Sequence, residues 1–208
     1  EVQNLDISGD EELQHLVTHV SDISFEYYDS MSEAQTHYQL QVSTHADYSS
    51  ISVWDTGEVT SDATTITYSG DALQDGQAYY LRAKVGVNDF WSEWSDLSFR
   101  MNTEPSSPIQ VSLINDAVAT GEVLLIIDNS LDAEEDDLTY NFRLYSDETL
   151  AVQLDSAITV SEGTEETTWT VVNALADNEQ FWWTVQAYDG YEYSTVAGPE
   201  SFLVNSEN

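Results

Sequence analysis

The chain carries the same sequence pattern twice, and this duplication constrains the fold more than any other feature. Residues 38–42 (YQLQV) correspond to residues 140–144 (YNFRL), and residues 73–80 correspond to residues 175–182, both at an offset of 102 residues. An offset of about 100 residues is too long for a solenoid repeat but fits a duplicated domain. The sequence therefore predicts two copies of one domain in tandem.

The boundary between the two copies is expected in a segment that contains two of the three prolines of the chain. Proline favours extended backbone and stiffens a linker, so residues 102–108 are predicted to be a short, semi-rigid spacer. This boundary gives a first domain at residues 1–103 and a second at residues 104–208.

Each copy consists of short segments in which apolar and polar residues alternate, the pattern of a half-buried strand. About seven such segments in each copy, separated by turns rich in Asp and Gly, predict an all-β fold of two antiparallel β-sandwiches. The alternating apolar residues are Tyr38, Leu40, Val42, Tyr79, Leu81, Ala83 and Val85 in the first copy, and Tyr140, Phe142, Leu144, Phe181, Trp183, Val185 and Ala187 in the second.

One segment near the start of the chain departs from this pattern. Leu13, Leu16, Val17 and Val20 are spaced as on one face of a helix. Residues 11–20 are therefore either a short helix or a strand with an irregular pattern.

The charge of the chain excludes several classes of partner. With 39 acidic and 4 basic residues, the net charge is −35. Nucleic-acid binding and attraction to anionic membranes both need many Lys and Arg side chains. The chain has no cysteine, which excludes disulfides and thiolate chemistry, and no apolar run approaches the length of a membrane span.

The acidity also suggests an extracellular location. Mutual repulsion of the carboxylates opposes compaction unless salt or divalent cations screen it, which suits a saline or calcium-containing exterior. The alternative is that the acidity only keeps a secreted protein soluble. The first residues lack the features of a leader peptide, so we expect either a mature chain or a segment of a larger protein.

The first copy contains the run Leu73, Gly76, Tyr79, followed by an alternating strand and a closing strand rich in Trp and Ser. This arrangement resembles the fibronectin type III domain, particularly tandem modules of prokaryotic cell-surface and secreted proteins. The resemblance implies immunoglobulin-like sandwiches and a tyrosine corner at Tyr79. It covers most of the chain, and residues 1–21 match it worst. The second copy has Phe181 where the first has Tyr79, so it lacks the corner hydroxyl.

The sharpest motif is a box of two tryptophans and two serines at residues 91–95 (WSEWS). It is similar to the box of cytokine-receptor fibronectin domains, in which indole rings interleave with basic side chains. Arg82 and Lys84 are two residues apart and therefore share a strand face. We predict a structural cation–π ladder of Trp91, Trp94, Arg82 and Lys84, worth about 0.5–2 kcal/mol per contact.

The densest carboxylate cluster begins at Asp132. The alternate residues Asp132, Glu134 and Asp136 could converge on one Ca²⁺ ion, which prefers several oxygen ligands. In a sandwich this loop is expected at the pole facing the first copy, near Glu104 and the Asp189 turn. The spacing is not that of an EF-hand, and a solvated acidic loop without a cofactor is the other interpretation.

A set of aromatic residues in the second copy is a candidate ligand surface. Trp182 and Tyr188 are predicted to point away from the core, and Tyr191 and Tyr193 lie at a loop tip. Flat aromatic rings stack on sugar rings, so these residues are possible glycan contacts. The other interpretation is that a second sheet or the neighbouring domain covers them.

Nothing in the sequence predicts catalysis. It has no nucleophile elbow, zinc-protease motif or phosphate-binding glycine loop. His15 and His19 would have zinc-like spacing on a helix, but no third ligand is evident.

We therefore expect a non-catalytic structural or adhesive tandem module of a prokaryotic surface protein. It would act as a spacer or as an assembly unit of a filament or surface layer. Its partners would be other copies of itself or other surface proteins, and residues 1–21 could be a strand donated to a neighbouring copy. The alternative is an accessory carbohydrate-binding module of a secreted polysaccharide-degrading enzyme.

Overall fold

The computed structural model describes residues 1–7, 13, 15–51 and 53–205. Throughout these residues the regular secondary structure is β-strand. The chain divides into two compact domains, Glu1–Asn102 and Thr103–Asn208. Within the described residues, no helix is long and apolar enough to cross a membrane.

The first domain is a sandwich of a three-stranded and a six-stranded antiparallel sheet. The smaller sheet has the order β1-β2-β6; the larger has β3 and β7 at its centre, β4 and β5 beside β3, and β8 and β9 beside β7. The strands are β1 (Val2–Ile7), β2 (Asp22–Tyr27), β3 (His37–Ser43), β4 (Trp54–Asp55), β5 (Val59–Thr60), β6 (Thr65–Thr67), β7 (Ala78–Val87), β8 (Phe90–Trp91) and β9 (Ser95–Arg100).

The second domain is a sandwich of a three-stranded sheet, β10-β12-β15, and a five-stranded sheet, β11-β17-β16-β13-β14. One pair, β11 with β17, is parallel, which departs from the purely antiparallel expectation. The strands are β10 (Ile109–Gln110), β11 (Ala117–Ala119), β12 (Leu124–Asp128), β13 (Thr139–Tyr145), β14 (Gln153–Ser161), β15 (Glu166–Thr170), β16 (Glu179–Tyr188) and β17 (Ala197–Val204).

The core of each domain is filled by the alternating residues that the sequence predicted. In β3 and β7, Leu40, Val42 and Leu81 are fully buried, and in the second domain Phe142 and Trp183 are fully buried. Burial of each such side chain contributes roughly 1.5–3 kcal/mol. The all-β, immunoglobulin-like sandwich fold is confirmed.

The two domains also share the register of their central strand pair. Gln41 pairs with Arg82 across β3 and β7, and Arg143 pairs with Thr184 across β13 and β16. Both residues of the second pair lie 102 positions after those of the first. Positions separated by 102 residues on these strands are therefore structurally equivalent, which makes a residue-by-residue comparison of the two domains valid.

The helix considered for residues 11–20 is not present in its described part. Residues 11, 12 and 14 lie outside the described residues, but residues 15–20 contain no helix. Leu16 is buried and forms a parallel bridge with Met101, with its N–H donating to the Arg100 carbonyl at 3.0 Å. Val17 and Val20 are exposed, so the helical spacing does not create a common buried face.

Residues on both sides of the domain boundary are hydrogen-bonded within their own domain. The Asn102 N–H donates to the Leu16 carbonyl at 2.9 Å, and the Ser106 N–H donates to the Leu131 carbonyl at 2.8 Å. Pro105 and Pro108 are both buried. At Asn102 and Ser106 the predicted spacer is thus bonded to the sandwich of its own domain.

Candidate functional site

The larger sheet of each domain has one face turned away from the core, and we name it the outer face. In the first domain it is formed by alternate residues of β3 and β7, including Gln41, Arg82 and Lys84. In the second domain it is formed by the equivalent residues of β13 and β16, including Arg143 and Thr184.

A ladder of interleaved rings and cations covers the outer face of the first domain. The Arg82 guanidinium lies 4.1 Å from the Tyr48 ring centroid and 4.3 Å from that of Trp94. Lys84 Nζ lies 4.2 Å from the Trp91 ring and 4.7 Å from the Trp94 ring. The order along the face is therefore Tyr48, Arg82, Trp94, Lys84, Trp91. The four residues expected in a ladder lie together, and Tyr48 adds a ring that the sequence analysis missed.

At the Trp91 end of the ladder, the indole ring contacts a buried histidine. His37 is 4% exposed and packs edge-on against Trp91, with ring centroids 4.2 Å apart. Its Nδ1 lies 2.8 Å from Thr36 Oγ1. The neighbouring position on β7 is Gly86, where an added Cβ would lie 1.9 Å from His37 Nε2. Glycine at position 86 thus makes room for the ring.

Amide side chains connect the ladder to a carboxylate. Arg82 Nε donates to Gln41 Oε1 at 2.8 Å, and Gln41 Nε2 donates to Asp55 Oδ2 at 2.7 Å. Burial alone would raise the pKa of Asp55, but hydrogen bonds from Gln39, Gly57 and Gln41 and the charge of Arg82 lower it overall. This network fixes the guanidinium between its two rings.

The second domain has its own version of the tryptophan–serine box, which the sequence analysis did not identify. In the first domain Trp91 pairs with Gly86, and in the second Tyr193 forms a bridge with Tyr188 at the equivalent positions. The Ser194 N–H donates to the Ala187 carbonyl at 3.0 Å, as the N–H of the equivalent first-domain serine does to Val85 at 2.8 Å. A shared serine is too weak a signal to reveal this equivalence without the structure.

The outer face of the second domain lacks the cations of the ladder. Thr184 and Gln186 occupy the positions equivalent to Arg82 and Lys84, and Val196 occupies that of Trp94. The ring that remains, Tyr193, stacks on Tyr188 at a centroid distance of 4.3 Å. The outer face of the second domain therefore has no cation–π ladder; its centre at Thr184 is buried, and Arg143, Tyr145 and Trp182 are partly exposed.

The structure separates the four aromatic residues that were predicted as glycan contacts. Tyr188, Tyr191 and Tyr193 lie at one end of β16, where Asp189 Oδ1 accepts the Tyr191 N–H at 2.6 Å. Trp182 is six residues back along the strand, roughly 20 Å away. Its cross-strand partner is Tyr145, and both side chains are partly exposed.

In each domain a tyrosine hydroxyl forms a hydrogen bond with a backbone N–H group, but the two tyrosines lie on non-equivalent strands. In the first domain the Tyr79 hydroxyl accepts the Gln74 N–H at 2.8 Å. In the second domain Tyr140, on β13, accepts the Ser130 N–H at 2.8 Å and donates to Glu162 Oε1 at 3.0 Å. Burial, together with Glu162, raises the pKa of Tyr140 to about 12.

The acidic loop is organised by one of its own carboxylates. Asp132 Oδ1 accepts the backbone N–H groups of Glu134 and Asp136 at 2.9 and 3.0 Å. Thr103 Oγ1 donates to Glu134 Oε1 at 3.2 Å. One carboxylate oxygen on each of Asp132, Glu134 and Asp136 is shielded from solvent. Calcium binding by this loop stays a prediction.

No group of three or more His, Asp or Glu side chains in the part of the chain that the structure describes is arranged to hold a metal ion. His19 Nε2 lies 2.7 Å from Asp75 Oδ1, and no helix aligns it with His15.

One family model matches the sequence of the first domain. Residues 2–102 match the model of the "Rha78A-like, N-terminal immunoglobulin domain" family. This match includes residues 1–21 almost entirely, although they fit the fibronectin resemblance worst. No curated protein matches the sequence significantly.

Three solved structures that match this chain over most of its length come from different kinds of protein. A Streptomyces avermitilis α-L-rhamnosidase complexed with L-rhamnose matches 97% of this chain with 14% identity and a TM-score of 0.45. This chain spans only 25% of that enzyme's length. The chicken interferon gamma receptor alpha chain matches with 12% identity, a TM-score of 0.38 and 98% coverage of both chains. The FN1–FN3 domains of chicken CNTN1 match with 10% identity and a TM-score of 0.43, over 98% of this chain and 67% of that one.

Proposed function

We propose that this chain is a non-catalytic, two-domain region of a larger, secreted glycoside hydrolase of the rhamnosidase kind. The observation that carries the proposal is the match of residues 2–102, which make up nearly the whole first domain, to an N-terminal immunoglobulin domain family of Rha78A-like proteins. The match favours the accessory module of a polysaccharide-degrading enzyme over the surface spacer that the sequence first suggested.

The construction of the first domain suits a rigid accessory role. Its core is closed by fully buried side chains, and its outer face is closed by the ladder from Tyr48 to Trp91. A domain stabilised on both faces of its larger sheet holds a fixed shape beside a catalytic domain. The reaction itself would be carried out elsewhere in the protein.

The open reading frame that encodes this chain provides a direct test. We expect it to continue into a catalytic domain of a glycoside hydrolase. A frame that encodes only further sandwiches and a cell-surface anchor would contradict the proposal and would support the structural or adhesive module.

Hydrolysis assays give an independent test. The complete gene product is expected to cleave an α-L-rhamnoside such as the p-nitrophenyl derivative, whereas the 208-residue chain alone is expected to be inactive. Cleavage by the isolated chain would show that it is catalytic and would overturn its accessory role.

Assembly through strand donation has less support. The segment considered as a donated strand contains β1, which pairs with β2 of its own domain from Val2 to Ile7. One edge of this strand is therefore already paired within its own domain, where β1 is the edge strand of the smaller sheet.

A further inference from the structure

We propose that the outer face of the second domain is a binding platform for neutral glycans, centred on Trp182, Tyr145 and Arg143. The proposal rests on the proposed function, since it assigns a ligand class and a site to the accessory region. It differs from the loop-tip cluster expected from the sequence, because two of its three central residues lie on β13.

The register of the sheet brings these residues together. Trp182 and Tyr145 are direct cross-strand partners, which places their Cβ atoms about 4.5–5.5 Å apart. The same row continues to Ser201 on one side and Gln153 on the other. Arg143 lies two residues from Tyr145 on β13, and therefore on the same face. The result is an area of the sheet face with two aromatic side chains and a guanidinium.

The polar groups of these three central residues are not engaged by the described part of the chain. Among the described residues, the Trp182 indole, the Tyr145 hydroxyl and the Arg143 guanidinium make no hydrogen bond, ion pair or ring contact. All three remain partly exposed. They offer an indole N–H, a phenol O–H and the guanidinium N–H groups, all of which can donate to a ligand.

Comparison with the first domain shows that an arginine at this position, without a polar partner among the described residues, is specific to the second domain. The residue equivalent to Arg143 is Gln41, which is bonded to Arg82 and Asp55. Cations and rings of the ladder occupy the surrounding face in the first domain. The second domain has the same strand arrangement, but it has no cation at the positions of Arg82 and Lys84 and has Arg143 at the position of Gln41. Arg143 is also the only Lys or Arg after position 100.

The chemistry of the platform favours a neutral glycan. Aromatic rings pack against the C–H faces of sugars, and a few donors fix the orientation of the hydroxyl groups. The net charge of −35 repels polyanions, including nucleic acids and polyuronates. Most cross-strand partners of Trp182, Tyr145 and Arg143 are polar, namely Ser201, Gln153, Thr184 and Ser156.

Native affinity electrophoresis of the 208-residue chain tests the platform. The gels would contain one soluble polysaccharide each: a neutral rhamnan, xyloglucan, a mixed-linkage β-glucan, galactomannan or, as the anionic probe, polygalacturonate. We expect at least one neutral polysaccharide to retard the chain. Retardation by none of them, or by polygalacturonate alone, would overturn the proposal.

Matched variants locate the binding. Trp182→Ala is expected to weaken binding at least tenfold, and Arg143→Gln, which installs the first-domain residue, to weaken it several-fold. Tyr80→Ala, at the position of the first domain equivalent to Trp182, serves as control and is expected to bind like the unaltered chain. Tyr145→Phe removes only the hydroxyl and provides a mild variant in case Trp182→Ala does not fold.

These variants test the glycan platform independently of the proposed accessory function. Undiminished binding in a folded Trp182→Ala variant, or equal losses in Trp182→Ala and Tyr80→Ala, would rule out the platform. A catalytic domain in the same reading frame would still support the accessory role. Loss confined to the second-domain variants would support the platform whatever the reading frame contains.

Discussion

At the scale of single residues, the same turn is formed by glycine in the first domain and by asparagine in the second. The turn before β7 has Gly76 with a φ of 71°, and the turn before β16 has Asn178 with a φ of 59°. Both are in the left-handed region, which glycine and asparagine tolerate best. Both N–H groups donate to the last residues of their domain, Met101 and Val204. The turn is therefore retained although its residue changed.

The tyrosine corner of the first domain gives a prediction at this scale. Tyr79→Phe removes the hydroxyl that accepts the Gln74 N–H, and we expect a loss of about 1 kcal/mol in the free energy of unfolding of that domain. Chemical denaturation would measure it. Tyr28→Phe removes an exposed hydroxyl that makes no bond with described residues and is expected to change nothing. Equal midpoints for Tyr79→Phe and the unaltered chain would contradict the corner.

Asp55 gives a pH-dependent prediction. Its folded pKa is lowered from the ordinary value of 3.8, so the carboxylate stabilises the fold at neutral pH. That contribution is lost as the pH falls below 3.8 and through the folded pKa. We expect Asp55→Asn to lower the melting temperature at pH 7 and the difference to shrink towards pH 2.5. Asp62→Asn, at an exposed position, is the control. A difference that does not vary with pH would argue against the carboxylate's role.

At the scale of elements, the ladder adds stability where cations and rings alternate on one sheet face. Lys84→Met keeps the length of the side chain and removes its charge. Because Nζ contacts two rings, we expect a destabilisation of about 1–2 kcal/mol, measured by thermal or chemical denaturation. A Lys84→Met variant as stable as the unaltered chain would show that the ladder is packing without a cation–π contribution.

The acidic loop between β12 and β13 is held by Asp132, and calcium binding by the same loop is a prediction that one substitution tests. Asp132→Asn keeps an oxygen that accepts the Glu134 and Asp136 N–H groups but removes a charge. If the loop binds Ca²⁺, the cation raises the melting temperature of the unaltered chain beyond the effect of NaCl at matched ionic strength, and this rise is absent in Asp132→Asn. We expect this result. Equal responses to the two salts would contradict calcium binding.

At the scale of the whole molecule, the sequence correctly predicted the features that follow from the two-residue periodicity of strands, namely which residues share a face. Alternation along 38–42 and 140–144 identified the buried faces, because a strand places every second residue on one side. Spacing by two placed Arg82 and Lys84 together for the same reason. The boundary differs from the expected one by a single residue.

The sequence did not predict what depends on pairing between distant segments. Tyr48 reaches Arg82 from a loop, and Tyr145 meets Trp182 only through the register of β13 and β16. Of the two interpretations of residues 11–20, the helix is absent in the described part, where Leu16 instead pairs with Met101, a contact that local spacing does not reveal. Site geometry therefore required the structure even where the fold did not.

The central claim is that the same sheet face carries a cation–π ladder in the first domain and a glycan-binding platform in the second. The chain has six tryptophans, so a ¹⁵N–¹H spectrum should contain six indole N–H signals, assigned by substitution. The measurement is a titration with an oligosaccharide of the neutral polysaccharide that retards the chain most. We predict that the Trp182 signal moves while those of Trp91 and Trp94 stay in place. A stationary Trp182 signal, or shifts of Trp91 and Trp94 as large as its own, would contradict the account.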